Sequence, residues 1–222
     1  LPVYSTEFIM DYIISIIPQM LAGCQVTAQV FFLTIIMSIP LGLLLAFGRV
    51  SNLSLVKHFI AFYVWVMRGT PLMLQLLFFY FALPSVGIRF DDFTAAMIAF
   101  VLNYAAYFAE IYRGGIESIP VGQYEAAEVL GYTKTQTFMK IILPQVVKII
   151  LPSVTNEVIT LVKDTSLAFT LAYAEVFSLA KQIAASQSSF MPFLRAGVFY
   201  FVANYLVEVV MARIEKSMDY YK

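Results

Sequence analysis

Long apolar runs separated by short charged segments dominate this chain. A helix crossing the hydrocarbon core of a bilayer needs about 20 mostly apolar residues, and five stretches approach that length. The run from Thr27 to Phe47 carries no charge, and only Pro40 interrupts it. Phe59 to Val86 holds Arg68 as its single charge. Phe93 to Ala109 is uncharged and extends to Ile111 if Glu110 faces protein or water. Ile141 to Val162 includes Lys148 and Glu157, and Phe193 to Ala212 includes Arg195 and Glu208. The pattern predicts an all-α integral membrane protein with five core transmembrane helices.

Basic residues in short loops orient such a chain, because they stay on the cytoplasmic side. With the N-terminus outside and the C-terminus inside, Arg49, Lys57, Arg113, Lys134, Lys140, Arg213, Lys216 and Lys222 fall inside. Arg89, Lys163, Lys181 and Arg195 fall outside, leaving Lys148 and Arg68 at membrane depth. The excess favours N-out, C-in, and puts the polar segment 114–144 in the cytoplasm, between the third and fourth spans. Residues 1–18 read as an amphipathic stretch on the outer surface. Residues 165–187, with Glu175 and Lys181, are too short and polar to span and read as a re-entrant or outer-surface helix. Irregular backbone at that depth needs protein cover. No repeat divides the 222 residues, so residues 1–222 form one transmembrane domain.

Composition agrees. The chain is 61% hydrophobic and 13% charged, about half the usual quarter for soluble domains. A net charge of zero argues against nucleic acid as a partner. One Cys and one His exclude an intrachain disulfide and a Cys/His metal cluster, so no metal site is expected. No basic segment precedes the first apolar run, so no cleaved signal peptide is expected. The aromatic side chains, 20 Phe and 14 Tyr, fit lipid contact and interface anchoring.

The segment 114–144 holds the most specific pattern. Pro120 precedes about two turns of helix from Val121 to Leu130, and Gly131 suits a left-handed C-cap. Ala126 and Ala127 are small enough for a partner surface to approach, while Glu125 and Glu128 lie one turn apart. A bare E-A-A triplet would be an ordinary loop helix. Here Glu125-Ala126-Ala127 is followed by Gly131 and then by Ile141, Leu143 and Pro144. With that spacing the chain resembles the permease subunit of bacterial ABC importers for polar amino acids, the histidine/glutamine/arginine permease family, in which this segment is the ATPase-docking loop. Arg68-Gly69-Thr70-Pro71-Leu72-Met73-Leu74-Gln75, Arg113 to Gln123 and Lys163-Asp164-Thr165-Ser166-Leu167 resemble further segments of that family, and the likeness covers about residues 19–217.

The resemblance implies a multi-pass protein of the bacterial cell membrane, working as a pair with a second permease subunit, either a copy or a close homologue. It implies two ATPase subunits on the cytoplasmic side, docked at Glu125, Ala126, Ala127, Glu128 and Gly131, and an external solute-binding protein that delivers the amino acid. No G-x-x-x-x-G-K-[ST] phosphate loop occurs in the chain. ATP and Mg²⁺ are therefore expected on the partner ATPase, with no cofactor on this chain.

Ionisable groups inside spans mark functional sites, although pairing between spans is their usual structural use. Arg68 lies about ten residues into the second span, and Gly69-Thr70-Pro71 follows it. There the helix is expected to break, with Thr70 as N-cap and Pro71 at the first position of the next half. A half-helix N-terminus at that depth favours a carboxylate. Asn103, Tyr107 and Glu110 share one face of the third span, and Glu157, Thr160 and Asp164 share one face of the fourth. Surplus carboxylates suit ammonium groups, which favours arginine, lysine or histidine over glutamine or glutamate; the alternative is that Arg68, Lys148 and Lys163 neutralise the same carboxylates. The substrate-binding candidates are therefore Arg68, Gly69, Thr70, Asn103, Tyr107, Glu110, Glu157, Thr160 and Asp164, with no catalytic residue. A membrane-embedded enzyme using Glu110, Glu157 and Asp164 lacks a nucleophile–histidine pair. An ATP-independent transporter or channel would need no docking loop.

Overall fold

The computed structural model describes residues 6–171 and 174–218, with side chains from residue 22 onward. Among these residues the chain is all helical, with no strand. Lys222, residues 1–5 of the N-terminal segment and residues 172–173 of the 165–187 segment lie outside the described residues. The helices, in order, are α1 (Thr6–Val50), α2 (Ser54–Gly69), α3 (Leu72–Leu77), α4 (Asp92–Glu117) and α5 (Val121–Val129). They are followed by α6 (Lys134–Thr137), α7 (Leu143–Asp164), α8 (Val176–Gln187) and α9 (Met191–Ser217). Residues 6–18 run into α1 without a break.

Four described helical segments are long and apolar enough to cross a membrane, at Ala22–Val50, Asp92–Glu117, Lys134–Leu171 and Met191–Ser217. The expected second span is the exception. It is split into Ser54–Gly69 and Leu72–Val86, which meet at a bend of 107°, and only as one unit does it make a fifth span. The cause is local. Thr70 precedes Pro71, whose ring disfavours helical backbone at the residue before it, and Thr70 is extended at φ −121°, ψ 145°.

α4 lies at the centre of the molecule, with 67% of its apolar window buried, against 6% for α9. Its core residues Phe100, Tyr104 and Phe108 pack with Val30 of α1, Leu76 of α3 and Leu161 of α7. The α1–α4 approach is close. A Cβ on Gly42 would lie 2.7 Å from Phe108 Cβ and 3.0 Å from the Ala105 carbonyl oxygen. Asp91 caps α4, accepting the Thr94 N–H at 3.0 Å and the Thr94 hydroxyl at 2.6 Å. Those bonds hold its carboxyl below the usual carboxylate range. α9 leaves Val198, Phe201, Tyr205 and Leu206 exposed, and α1 leaves Phe32, Ile36 and Leu44 exposed. Apolar surface on that scale is at home in lipid or against another membrane helix, not in water.

Within the 114–144 segment, residues 118–133 carry α5 and connect α4 to the helical stretch that begins at Lys134. α5 ends in a Schellman motif: Gly131 N–H donates to the Glu128 carbonyl at 2.9 Å and Tyr132 N–H to that of Ala127 at 3.0 Å. This closure puts Gly131 at φ +78°, where a side chain is strained. Thr133 and Gln136 form a capping box at the start of α6. The chain returns through a π-helical stretch, Phe138–Ile142, so that Ile142 and Val146 are buried with Ile119.

α8, with 12 residues, is about 18 Å long at 1.5 Å per residue, short of a bilayer core. It caps itself through Glu175, which is fully buried, bonded to the Phe177 and Ser178 N–H groups and reached by the Tyr200 hydroxyl of α9 at 2.8 Å.

Candidate functional site

The break between α2 and α3 opens a cavity of about 510 Å³ against α4 and α7. That volume lies in the range of small-molecule sites. From the break it takes Arg68, Gly69, Thr70, Pro71 and Leu72; α4 supplies Asn103, Tyr104 and Tyr107. α7 supplies Glu157, Thr160 and Asp164, and Leu167 follows from the 3₁₀ turn after it. Eight of the nine candidates from the sequence thus meet in one place, although they come from segments far apart in the chain.

The break is held by a buried amide network. Gln75 Nε2 donates to the Met67 carbonyl at 2.9 Å, the Thr70 carbonyl at 3.2 Å and the Thr70 hydroxyl oxygen at 2.8 Å. Asn103 Nδ2 donates to the Met67 carbonyl and to Gln75 Oε1, each at 3.0 Å. The network takes up the carbonyls that the interrupted helix leaves without partners. Asn103 is only 4% exposed, so it ties α4 to the break more than it offers itself to a ligand.

Two expectations need correction here. Thr70 caps the C-terminus of α2, donating its hydroxyl to the Val66 carbonyl at 2.9 Å. Pro71, itself extended at ψ 134°, is the N-cap of α3. Proline can occupy that position without losing a helical hydrogen bond, so the register of the break moves by one residue. The helix that starts at Leu72 continues to Val86, so its N-terminus lies beside the Arg68 guanidinium, and the two together suit a carboxylate.

The second correction concerns Glu110. It does not line this cavity. Arg113, one turn further along α4, engages it through both Nε, at 3.1 Å, and Nη2, and Arg113 also binds Glu117. Glu110 lines a second cavity of about 430 Å³ with Arg49, Trp65, Arg68 and Tyr107. A shared helix face placed Glu110 beside Tyr107, but the neighbouring arginine captured it.

Within the first cavity, Arg68 sits 5.3 Å over the Tyr107 ring, a cation–π geometry that steers the guanidinium. Asp164 Oδ2 accepts the Tyr104 hydroxyl at 2.8 Å. Sequence reasoning missed Tyr104, because a lone aromatic on a packed helix reads as core, and its partner is sixty positions away. Glu157 and Asp164, about 10 Å apart along α7 by helical rise, set two anionic points along one wall. The lining therefore combines one guanidinium with two carboxylates, enough to hold an anionic group at one end and cations at the other.

At the loop, α5 exposes Val121, Tyr124, Val129 and Leu130 beside Glu125 and Glu128. Ala126 is open, but Ala127 is 1% exposed. The smallness of Ala127 serves the loop's own packing, not an approach from outside. Among the described residues no group of three or more His, Cys, Asp or Glu could hold a metal ion.

Similar proteins were found by sequence and by fold. The L-cystine transport system permease protein of Bacillus subtilis (strain 168) is 34% identical over 206 residues, covering 92% of this chain and 88% of the relative. The arginine transport system permease protein of the same organism is 35% identical over 204 residues, covering 91% and 93%. A putative glutamine transport system permease protein of Rickettsia typhi is 35% identical, covering 94% and 98%. A crystal structure of an amino acid ABC transporter with histidines superposes with a TM-score of 0.86 at 31% identity, covering 93% of this chain and 97% of that one. The family model described as binding-protein-dependent transport system inner membrane component matches residues 38–220. The chain belongs to that family of transporter membrane components.

Proposed function

We propose that this chain forms the translocation pathway of an ATP-driven importer for polar amino acids, with arginine, lysine and histidine favoured. Five spans, the N-terminus outside and the C-terminus inside, place α5 on the cytoplasmic side. There it docks the ATPase that supplies ATP and Mg²⁺ chemistry, while an external binding protein delivers substrate and a second permease subunit completes the pathway. Kinship with permeases named for cystine, glutamine and arginine supports the substrate class.

One observation carries the preference for basic substrates: the first cavity sets Glu157 and Asp164 against Arg68 alone. A basic amino acid has one carboxylate and two cationic groups. Arg68 meets the carboxylate, and the two α7 carboxylates meet the α-ammonium and the side-chain cation. A net charge of +1 on the substrate then balances the lining, whereas glutamine leaves one carboxylate unmatched, which is costly away from water. The test is equilibrium binding of the purified importer to a panel of arginine, lysine, histidine, glutamine and glutamate. Arginine or lysine should bind at least tenfold tighter than glutamine, the equivalent of one charge-assisted contact. Tighter binding of glutamine or glutamate would reverse the assignment.

A further inference from the structure

The second cavity plays no part in that reading, and it is built around charge. Arg49 enters it from the last turn of α1, Trp65 and Arg68 from α2, and Tyr107 and Glu110 from α4. It shares Arg68, Gly69 and Tyr107 with the first cavity. The Arg68 guanidinium over the Tyr107 ring is therefore the partition between two chambers. The step along α4 from Asn103 to Glu110 is about 10 Å at the helical rise, and it leads toward the α5 loop.

Charge in this chamber is unevenly paired. Arg113 holds Glu110 in a two-pronged contact and also takes Glu117. Arg49 and Arg68 come no closer to Glu110 than 3.7 Å and 4.0 Å, beyond hydrogen-bond reach. Glu110 is thus taken up mainly by Arg113, and Arg49 is left with only a long contact to it and a buried Nε that no acceptor meets. The Arg49 donors are those a carboxylate or phosphate would take up in a fork.

We propose that the second cavity is an exit station for the substrate's α-carboxylate, which passes from Arg68 to Arg49 as the amino acid moves toward the α5 side. The inference rests on the first cavity being the amino-acid site. Arg68 then serves both chambers, and Tyr107 and Glu110 keep it between them. Arg49 makes the second station selective for an anion, so the carboxylate leads the substrate out.

An anionic lipid headgroup offers the same chemistry, and Trp65, 72% exposed at the rim, marks a side on which lipid could lie. The complete importer is therefore reconstituted in vesicles of phosphatidylcholine alone and, separately, in vesicles containing phosphatidylglycerol. Arginine binding to the complex and ATP-driven uptake per transporter at saturating arginine are measured for wild type, Arg49→Gln and Arg49→Lys. Arg49→Gln should leave the Kd unchanged and lower turnover about tenfold in both vesicle types, one charge-assisted contact's worth. Arg49→Lys keeps the charge without the fork and should recover part of that loss.

Wild-type turnover in both variants would overturn the proposal. So would a Kd that rises in step with the fall in turnover, which would make Arg49 part of the first site. A loss confined to phosphatidylglycerol vesicles would assign the chamber to a lipid phosphate. If Arg49→Gln does not assemble, Arg49→Lys decides: turnover below wild type at unchanged Kd supports the exit station, and wild-type turnover removes it. Failure of the wild-type complex to bind any amino acid would instead sink the first-cavity reading, before any Arg49 variant is made.

Discussion

Asp164→Asn tests the charge argument with the least disturbance to the fold. Asp164 Oδ2 accepts the hydroxyl of Tyr104 at 2.8 Å, and Tyr104 is only 2% exposed. An asparagine oxygen in the same position accepts the same bond, so the variant removes one negative charge and keeps the α4–α7 tie. A hydrogen bond to a charged group is worth about 1.5–3 kcal/mol, and each 1.4 kcal/mol is about tenfold in Kd. Arginine and lysine should therefore bind about ten- to a hundredfold more weakly. Glutamine shares their α-ammonium and α-carboxylate but has no side-chain cation, so it should bind no more weakly than to wild type, and more tightly to the extent that the unmatched carboxylate opposed it. Calorimetric titration of the purified importer with arginine, lysine and glutamine at one ionic strength reads the difference directly. Equal weakening for arginine and glutamine would mean that Asp164 meets the shared α-ammonium and would leave the side-chain cation to Glu157, so that Glu157→Gln would then have to carry the selective loss. No change for either would reduce Asp164 to a partner of Tyr104.

Gln75→Leu removes the donors that stitch the helix break; it should weaken binding of every amino acid by a similar factor, and a selective effect on basic ones would contradict the scaffold role. Gly131→Val puts a β-branched side chain at φ +78°, costing about 1–2 kcal/mol locally. The variant should reach the membrane yet fail to couple ATP hydrolysis to uptake, and Glu125→Lys should do the same; normal ATP-driven uptake in both would refute the docking role of α5. Gly42→Ala drives a Cβ to 2.7 Å from Phe108 Cβ. Overpacking of this kind costs about 1–3 kcal/mol, and an unchanged melting temperature of the detergent-purified protein would show that α1 and α4 are not held at that distance.

What the sequence made legible was whatever local chemistry decides. Hydrocarbon thickness fixes the length of apolar runs, so the four straight membrane-length helices were readable. The restriction that Pro71 places on Thr70 made the break readable to within one residue. The missing residue of register was not local, because Pro71 adopts an extended backbone and Gln75, held by Asn103 of α4, closes the gap. On α7, Glu157, Thr160 and Asp164 share a face and line the first cavity together.

On α4 the rule put Glu110 beside Tyr107, and the two do line one cavity, the second rather than the first. Periodicity says which side chains share a face but not which neighbour takes a charge first, and Arg113, visible in the sequence as an i+3 partner, takes Glu110. Arg49 was not visible in that way, because only the packing of α1 against α4 brings it to the cluster. The two cavities follow from that division. The first joins motif residues at the break with faces of α4 and α7, and the second adds Arg49, which reaches Glu110 only through the packing of α1 on α4. Under the proposed exit path, the residue that governs release is the one that sequence pattern reveals least, a charge left incompletely paired beside the binding chamber.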